Sequence, residues 1–191
     1  MIWGKNWIDK IKIWIYKHFV IGMVKEEDLV DKIKSMKDLE TLGKHGRVVL
    51  TNGGFSVIHY GHLQYLNEAS QNGDMMVVAV NNNASIERIK GYTPPVSEEE
   101  RYYHLASLQC VDVVIPFDGD TPMDIIKQVR PDVYVKGGDY SLDTINQEER
   151  RILEEMGVDI RFTKFHNGYS ASKFVEAVRK IKFREEGEYR G

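Results

Sequence analysis

From Arg47 onward the chain alternates short apolar runs with amphipathic stretches, and that rhythm predicts its architecture. RVVLTN (47–52) and MMVVAVN (75–81) are rich in β-branched or long apolar residues with little polar alternation, as strands covered on both faces are. VDVVIPF (111–117), PDVYVKGG (131–138) and VDIRFTKF (158–165) read the same way. Helical spacing fills the gaps, over 61–71, 97–108, 121–130 and 144–156, and again in SASKFVEAVRKI (170–181). The 97–108 helix carries its own start signal, Ser97 with Glu100 three positions on, a capping box. Five strand-helix units in series predict a single α/β domain, a five-stranded parallel sheet with helices on both faces.

The first 45 residues follow another rhythm. Residues 25–43 place Leu29, Val30, Ile33, Met36 and Leu39 at three- and four-residue steps, a helix that Gly43 or Gly46 would end. Before it, MIWGKNWIDKIKIWIYKHF wound as a helix puts Trp3, Trp7 and Trp14 within a sector of roughly 40°. Such a stripe packs against its own domain or a sister subunit, or rests on a membrane surface. Lys10 lies beside the Trp sector rather than opposite it, which favours protein, and a homodimer is expected. Too short to enclose a core, residues 1–45 are read as a helical N-terminal extension. The domain then covers 46–183, with a polar tail over 184–191.

Composition narrows the function. The 191 residues are 42% hydrophobic and 29% charged, a globular balance. A net charge of −3 argues against nucleic acid as a partner. Lone Cys110 excludes an intramolecular disulfide framework and a thiolate zinc site, and reads as a small buried hydrophobe. Lysines and Asp9 interrupt the N-terminal apolar residues, so neither a cleavable signal nor a membrane span is expected, and the setting expected is cytoplasmic.

In an open parallel sheet, ligands bind beyond the carboxyl ends of the strands. The segments that follow the five strands hold TNGGFSVIHYGH, NNNAS with Arg88 and Lys90 beyond it, PFDGDTP, KGGDY and HNGYSAS. Glycines, hydroxyls, histidines and lysines of this kind suit phosphate. Gly53 and Gly54 let backbone approach a ligand, and Gly61 leaves room over a helix N-terminus whose amides and dipole favour an anion. His59 and His62 add imidazole donors there. On pattern alone the two histidines could instead hold a metal, though no cysteine lies nearby and the flanking glycines would go unexplained, or be incidental to a loop. Lys90 could likewise be a solvated loop lysine, Asp139 a turn cap, and Ser170 an N-cap with or without a ligand.

HYGH after a glycine-rich strand end resembles the HxGH signature of the nucleotidyltransferase (cytidylyltransferase-like) superfamily. The likeness runs over residues 47–181. VVLTNGGFSVIHYGHLQYLNEASQNGDMMVVAVNNNASIERIKG, RPDVYVKGGDY and NGYSASKFVEAVRK look like the adenylyltransferase domain of the bacterial ADP-heptose synthesis proteins. The resemblance implies a Rossmann-like domain that moves a nucleotidyl group from a nucleoside triphosphate, with Mg²⁺, to a phosphomonoester. ATP and heptose 1-phosphate are the substrates it points to. A cytidylyltransferase making a CDP-activated alcohol is the neighbouring alternative. By resemblance His59, His62 and Lys90 are catalytic. The nucleotide set adds Asn52, Gly53, Gly54, Phe55, Gly61, Gly137, Gly138, Asp139, Tyr169, Ser170 and Ser172. Lys90 would reach the phosphates from the loop after the second strand. Ser56, Asn81, Arg101 and Lys136 are candidates for the acceptor, and no protein metal site is implied.

A sugar-phosphate nucleophile has its second pKa near ~6 and is mostly a dianion at neutral pH. It needs no general base, and none is evident on the strand ends. Two positions depart from the family pattern. Relatives read G-x-F-D where this chain has Ser56 after Phe55, and Ala171 stands where a hydroxyl is common. The triphosphate apparatus is intact while the acceptor side has lost a carboxylate. A nucleotide-binding or scaffold protein without turnover is therefore the reading from a different class.

Overall fold

The computed structural model describes residues 26–38 and 46–164, together with 176, 178 and 180. The Trp-bearing stretch, most of the C-terminal helical pattern and the tail lie outside them, as do Tyr169, Ser170 and Ser172.

Five strands form one all-parallel sheet: β1 (Val48–Gly53), β2 (Met75–Asn81), β3 (Val113–Phe117), β4 (Val133–Lys136) and β5 (Asp159–Phe162). Their order is β3-β2-β1-β4-β5, so the chain winds outward from β1 in one direction, then returns and winds in the other. Period-two alternation sorts the side chains. Val48, Leu50, Val77, Ala79, Val113, Ile115 and Tyr134 face one layer, built from α5 (Met123–Val129) and α6 (Gln147–Glu155). Val49, Met76, Val78, Val80, Val114, Val133 and Val135 face the other, built from α2 (Tyr60–Ser70) and α4 (Glu98–Ala106). Both faces are covered, as the unbroken apolar runs require.

The amino ends of the strands are tied by carboxylates. Asp74, Asp112 and Asp132 each precede a strand and accept the N–H of Arg47, Met76 and Val48 respectively, at 2.7–2.8 Å.

The helix expected over 25–43 is shorter. α1 (Glu26–Lys32) stops because Ile33 leaves the helical path to bridge Val114 on β3, and the Lys34 N–H donates to Val114 O at 2.9 Å. Lys32 Nζ donates to Val111 O at 2.8 Å. β3 is the sheet edge, so these donors satisfy carbonyls that a neighbouring strand would otherwise take. A second difference is α3 (Asn83–Lys90), in a segment read from sequence as loop. Asn82 caps it by accepting from the Ser85 N–H, and Gly91 closes it in the left-handed conformation at φ 72°. The capping box of α4 is present as expected. Cys110 is half-buried rather than buried.

Candidate nucleotide-binding cleft

The winding direction reverses between β1 and β4, and a cleft of about 430 Å³ opens at their carboxyl ends. The ladder explains the opening. β1 and β2 pair at six positions, whereas β1 and β4 pair only at Val49–Val133 and Leu50–Tyr134. Beyond that point side chains replace the ladder. Val135 O accepts from the Thr51 hydroxyl at 2.9 Å and the Tyr65 hydroxyl at 3.0 Å, and Asn52 Oδ1 takes the Lys136 ammonium at 2.7 Å.

β1 ends in a tight passage. Phe55 has φ 45°, a left-handed conformation that a bulky residue adopts only under constraint and that costs about 1–3 kcal/mol. Its ring lies where a Cβ on Gly53 would approach it to 3.1 Å, and meets His62 edge-on at 5.3 Å. A Cβ on Gly54 would lie 3.2 Å from Ile86 Cδ1 and 3.6 Å from Lys90 Nζ. Lys90 reaches this backbone from the last turn of α3, not from a loop.

His59 is the N-cap residue of α2, yet its side chain makes no capping bond, and no acidic residue occupies the first turn. The helix thus turns the positive end of its dipole to the cleft with no side-chain cap over it. The His59 and His62 rings stack with centroids 3.8 Å apart and 22° between planes. Burial, then His59, and more weakly Lys90, push the His62 imidazole down to about 4 against a small upward pull from the Val57 backbone. Burial lowers His59 as well. Both rings are therefore neutral in the free protein near pH 7.

Among the described residues, Lys90, Lys136 and Lys164 line the cleft with one carboxylate, Asp139. Burial pulls the Lys136 ammonium down while Glu149 and Asp139 hold it up. Of the residues expected from sequence, Asn52, Gly53, Gly54, Phe55, Ser56, His59, Gly61, His62, Lys90, Lys136, Gly137, Gly138 and Asp139 share this lining.

Two acceptor candidates do not. Arg101 is fully buried, donating through Nη1 to Gly54 O and Asn81 O and through Nη2 to Asn83 Oδ1. It ties the end of β1 to β2 and α3 instead of facing a ligand. Asn81 is buried too, with its amide donating to Ser85 Oγ and Gly119 O. The helix start at Ser97 turns Arg101 inward and α3 covers Asn81, so neither lines the cleft.

The cleft also contains Tyr65, Tyr92, Tyr140, Thr163 and Lys164, which sequence reading missed. Tyr140 stood inside KGGDY, and Tyr92 directly follows the Gly91 cap. Thr163 and Lys164 were hidden by reading β5 as running through Phe165, whereas it ends at Phe162.

Comparison with known proteins agrees with this geometry. The chain is 43% identical over 135 residues to the bifunctional protein HldE of Geobacter sulfurreducens, covering 70% of this chain and 27% of that one. Against HldE of Helicobacter pylori (strain Shi470) it is 42% identical over 146 residues, covering 75% and 30%. It thus spans under a third of the length of these curated relatives. Among solved structures, a lipopolysaccharide core biosynthesis protein from Thermoplasma volcanium GSS1 superposes with a TM-score of 0.54 at 26% identity, over 66% of this chain and 100% of that one. The cytidylyltransferase-like family matches residues 50–182, which hold the whole sheet except Val48 and Val49 of β1 and every described residue of the cleft, and the chain belongs to that family.

Proposed function

We propose that the cleft binds a nucleoside triphosphate, ATP, and transfers its AMP group to a sugar phosphate such as heptose 1-phosphate, releasing pyrophosphate. The observation that carries this reading is the stacked His59–His62 pair at the uncapped start of α2, in one cleft with Lys90 and Lys136. The phosphates lie along the α2 amides and the two imidazoles. The acceptor's phosphate oxygen attacks the α-phosphorus, a new P–O bond forms, and the bond to the β-phosphate oxygen breaks. The acceptor is a dianion already, so the protein supplies position and electrostatic stabilisation rather than a base. Mg²⁺ arriving on the triphosphate would find Asp139 on the lining, and one carboxylate suits an ion whose other ligands are water and phosphate oxygens. Its chemistry is to offset charge on the phosphates.

Measuring pyrophosphate release over four nucleoside triphosphates and a panel of phosphomonoesters tests this. Turnover with ATP and heptose 1-phosphate is expected. A preference for CTP with an alcohol phosphate would favour the cytidylyltransferase reading. One observation favours a protein without turnover: Ser56 is buried and, among the described residues, meets the Tyr92 hydroxyl at 3.2 Å, at the position where the family resemblance implies a carboxylate. Tight triphosphate binding by calorimetry with no release across the panel would select that reading.

A reaction that consumes ATP belongs in the cytoplasm. Among the described residues, no helix is long and apolar enough to cross a membrane. The proposal includes a homodimer built with residues 1–20. Deleting them should weaken self-association in sedimentation, and flotation of the full chain with anionic liposomes would show lipid to be the partner instead.

A further inference from the structure

Behind the cleft lies a buried polar cluster drawn from three elements. Lys136, at the end of β4, is 9% exposed, and Glu149, on α6, is 3% exposed. Lys136 Nζ donates to Asn52 Oδ1 at 2.7 Å and lies 3.2 Å from Glu149 Oε1. The Tyr134 hydroxyl, fully buried, shares its one proton between Asn52 Oδ1 at 2.6 Å and Glu149 Oε1 at 2.7 Å. Asn146 caps α6 by accepting the Glu148 and Glu149 N–H groups, which fixes Glu149 in the first turn.

An ammonium has three N–H donors. Asn52 and Glu149 take two, which leaves a third, and Lys136 is among the residues that line the cleft. A buried carboxylate and ammonium in contact are costly to desolvate, so holding a charged side chain in one orientation at a site is a reason for such a pair to be present.

We propose that Glu149 is a positioning residue: with Asn52 it holds Lys136 as an ammonium and leaves one N–H facing the cleft as a donor to phosphate oxygens. The identity of that ligand rests on the proposed function; the arrangement of the donor does not. The other groups around Lys136 are Tyr134 from its own strand, Asp139 and Tyr140 from the loop after β4, and Tyr65 from α2. β1 contributes the neutral Asn52. Asp139 is the rival carboxylate, but it acts on Lys136 through space while Glu149 touches it.

The test uses the full chain with Glu149→Gln, which keeps the shape and removes the charge. Lys136 Nζ is followed by nitrogen NMR without nucleotide, assigned by its loss in Lys136→Met. Its titration midpoint should fall by at least about one pH unit, a tenfold loss of proton affinity. Asp139→Asn should move it less, and Glu149→Asp should restore it. In turnover, kcat/KM for the triphosphate should fall more steeply with rising pH in the variant than in the wild type, because the variant's amine loses its proton over a lower pH range. An unchanged midpoint and an unchanged pH profile overturn the proposal, even if turnover drops, since that is a structural effect alone. Should the Gln variant not fold, the wild type decides. An ammonium signal with slowed hydrogen exchange at neutral pH is expected, and a neutral amine or a freely exchanging ammonium overturns the proposal. The titration needs no nucleotide, so a wild type without turnover overturns the functional reading only.

Discussion

His59 and His62 lie face to face, 3.8 Å between ring centroids, at the mouth of α2. Two imidazoles this close do not both carry charge in the free protein, and burial keeps His62 neutral down to about pH 4. A triphosphate brings the opposite charge and reverses that preference. Its binding at pH 7 is expected to take up a fraction of a proton, read by calorimetry in buffers of different ionisation enthalpy. Affinity should rise as pH falls from 8 to 6. Zero uptake would mean that both rings act as neutral donors throughout.

The same depressed imidazole sets a stability trend. An unfolded histidine titrates near ~6.5, so between there and pH 4 the unfolded chain binds more protons than the folded one. The contribution of neutral His62 is complete above the unfolded value and is lost as pH falls through this window, by up to about 1.4 kcal/mol per pH unit. Urea midpoints of His62→Asn should fall less steeply over that range. Parallel profiles for variant and wild type would contradict the assignment.

His59→Ala and His62→Ala should each lower turnover on the order of 10²–10³-fold, the usual cost of a lost transition-state donor. Stacked rings that act as a unit should be non-additive, so the double variant falls short of the product of the two losses. Circular dichroism should be unchanged, because both side chains stand at a helix entrance rather than in the core.

Arg101 offers a test of a structural against a binding role. Arg101→Met strips Gly54 O and Asn81 O of their buried donor and should destabilise the fold by about 2–4 kcal/mol. The acceptor KM of the folded variant should not change. A raised KM with stability retained would return Arg101 to the acceptor site.

Ser56 concerns the acceptor directly. Tyr92 already presents a hydroxyl 3.2 Å from Ser56 Oγ, so a carboxylate placed there has a donor waiting. Ser56→Asp should raise kcat/KM for heptose 1-phosphate and leave triphosphate affinity as it was. Loss of activity on every acceptor would indicate that serine suits a different phosphomonoester.

Much of this was legible beforehand for a physical reason. The unbroken apolar runs of β1 and β2 and the Ser97–Glu100 box are local signals, and local signals survive folding. The glycine-histidine stretch was legible because its residue types serve few other purposes at a strand end. The failures were tertiary. Whether Arg101 points to solvent or inward depends on where α4 meets the sheet, and no spacing encodes that. Glu149 sat in a run of charged residues, QEERR, whose buried member only the packing of α6 against Tyr134 reveals. α3 hid because three asparagines read as loop, although Asn82 and Gly91 were its two ends.

The separation of β1 from β4 past Leu50 and Tyr134 leaves the sheet partly unzipped at its business end. One arm carries the histidines and Lys90, the other Lys136 and Asp139, and backbone hydrogen bonds do not join them at that level. A polyanion gripped by both arms becomes a cross-tie, standing in for the rungs the ladder lacks. Occupancy should then be felt well away from the contacts themselves, as slower amide exchange along β4 and β5 and a higher melting temperature. Without it, β4 is held to β1 by two rungs, a few hydroxyls and the apolar packing of Val133, Tyr134 and Val135 on the two faces of the sheet.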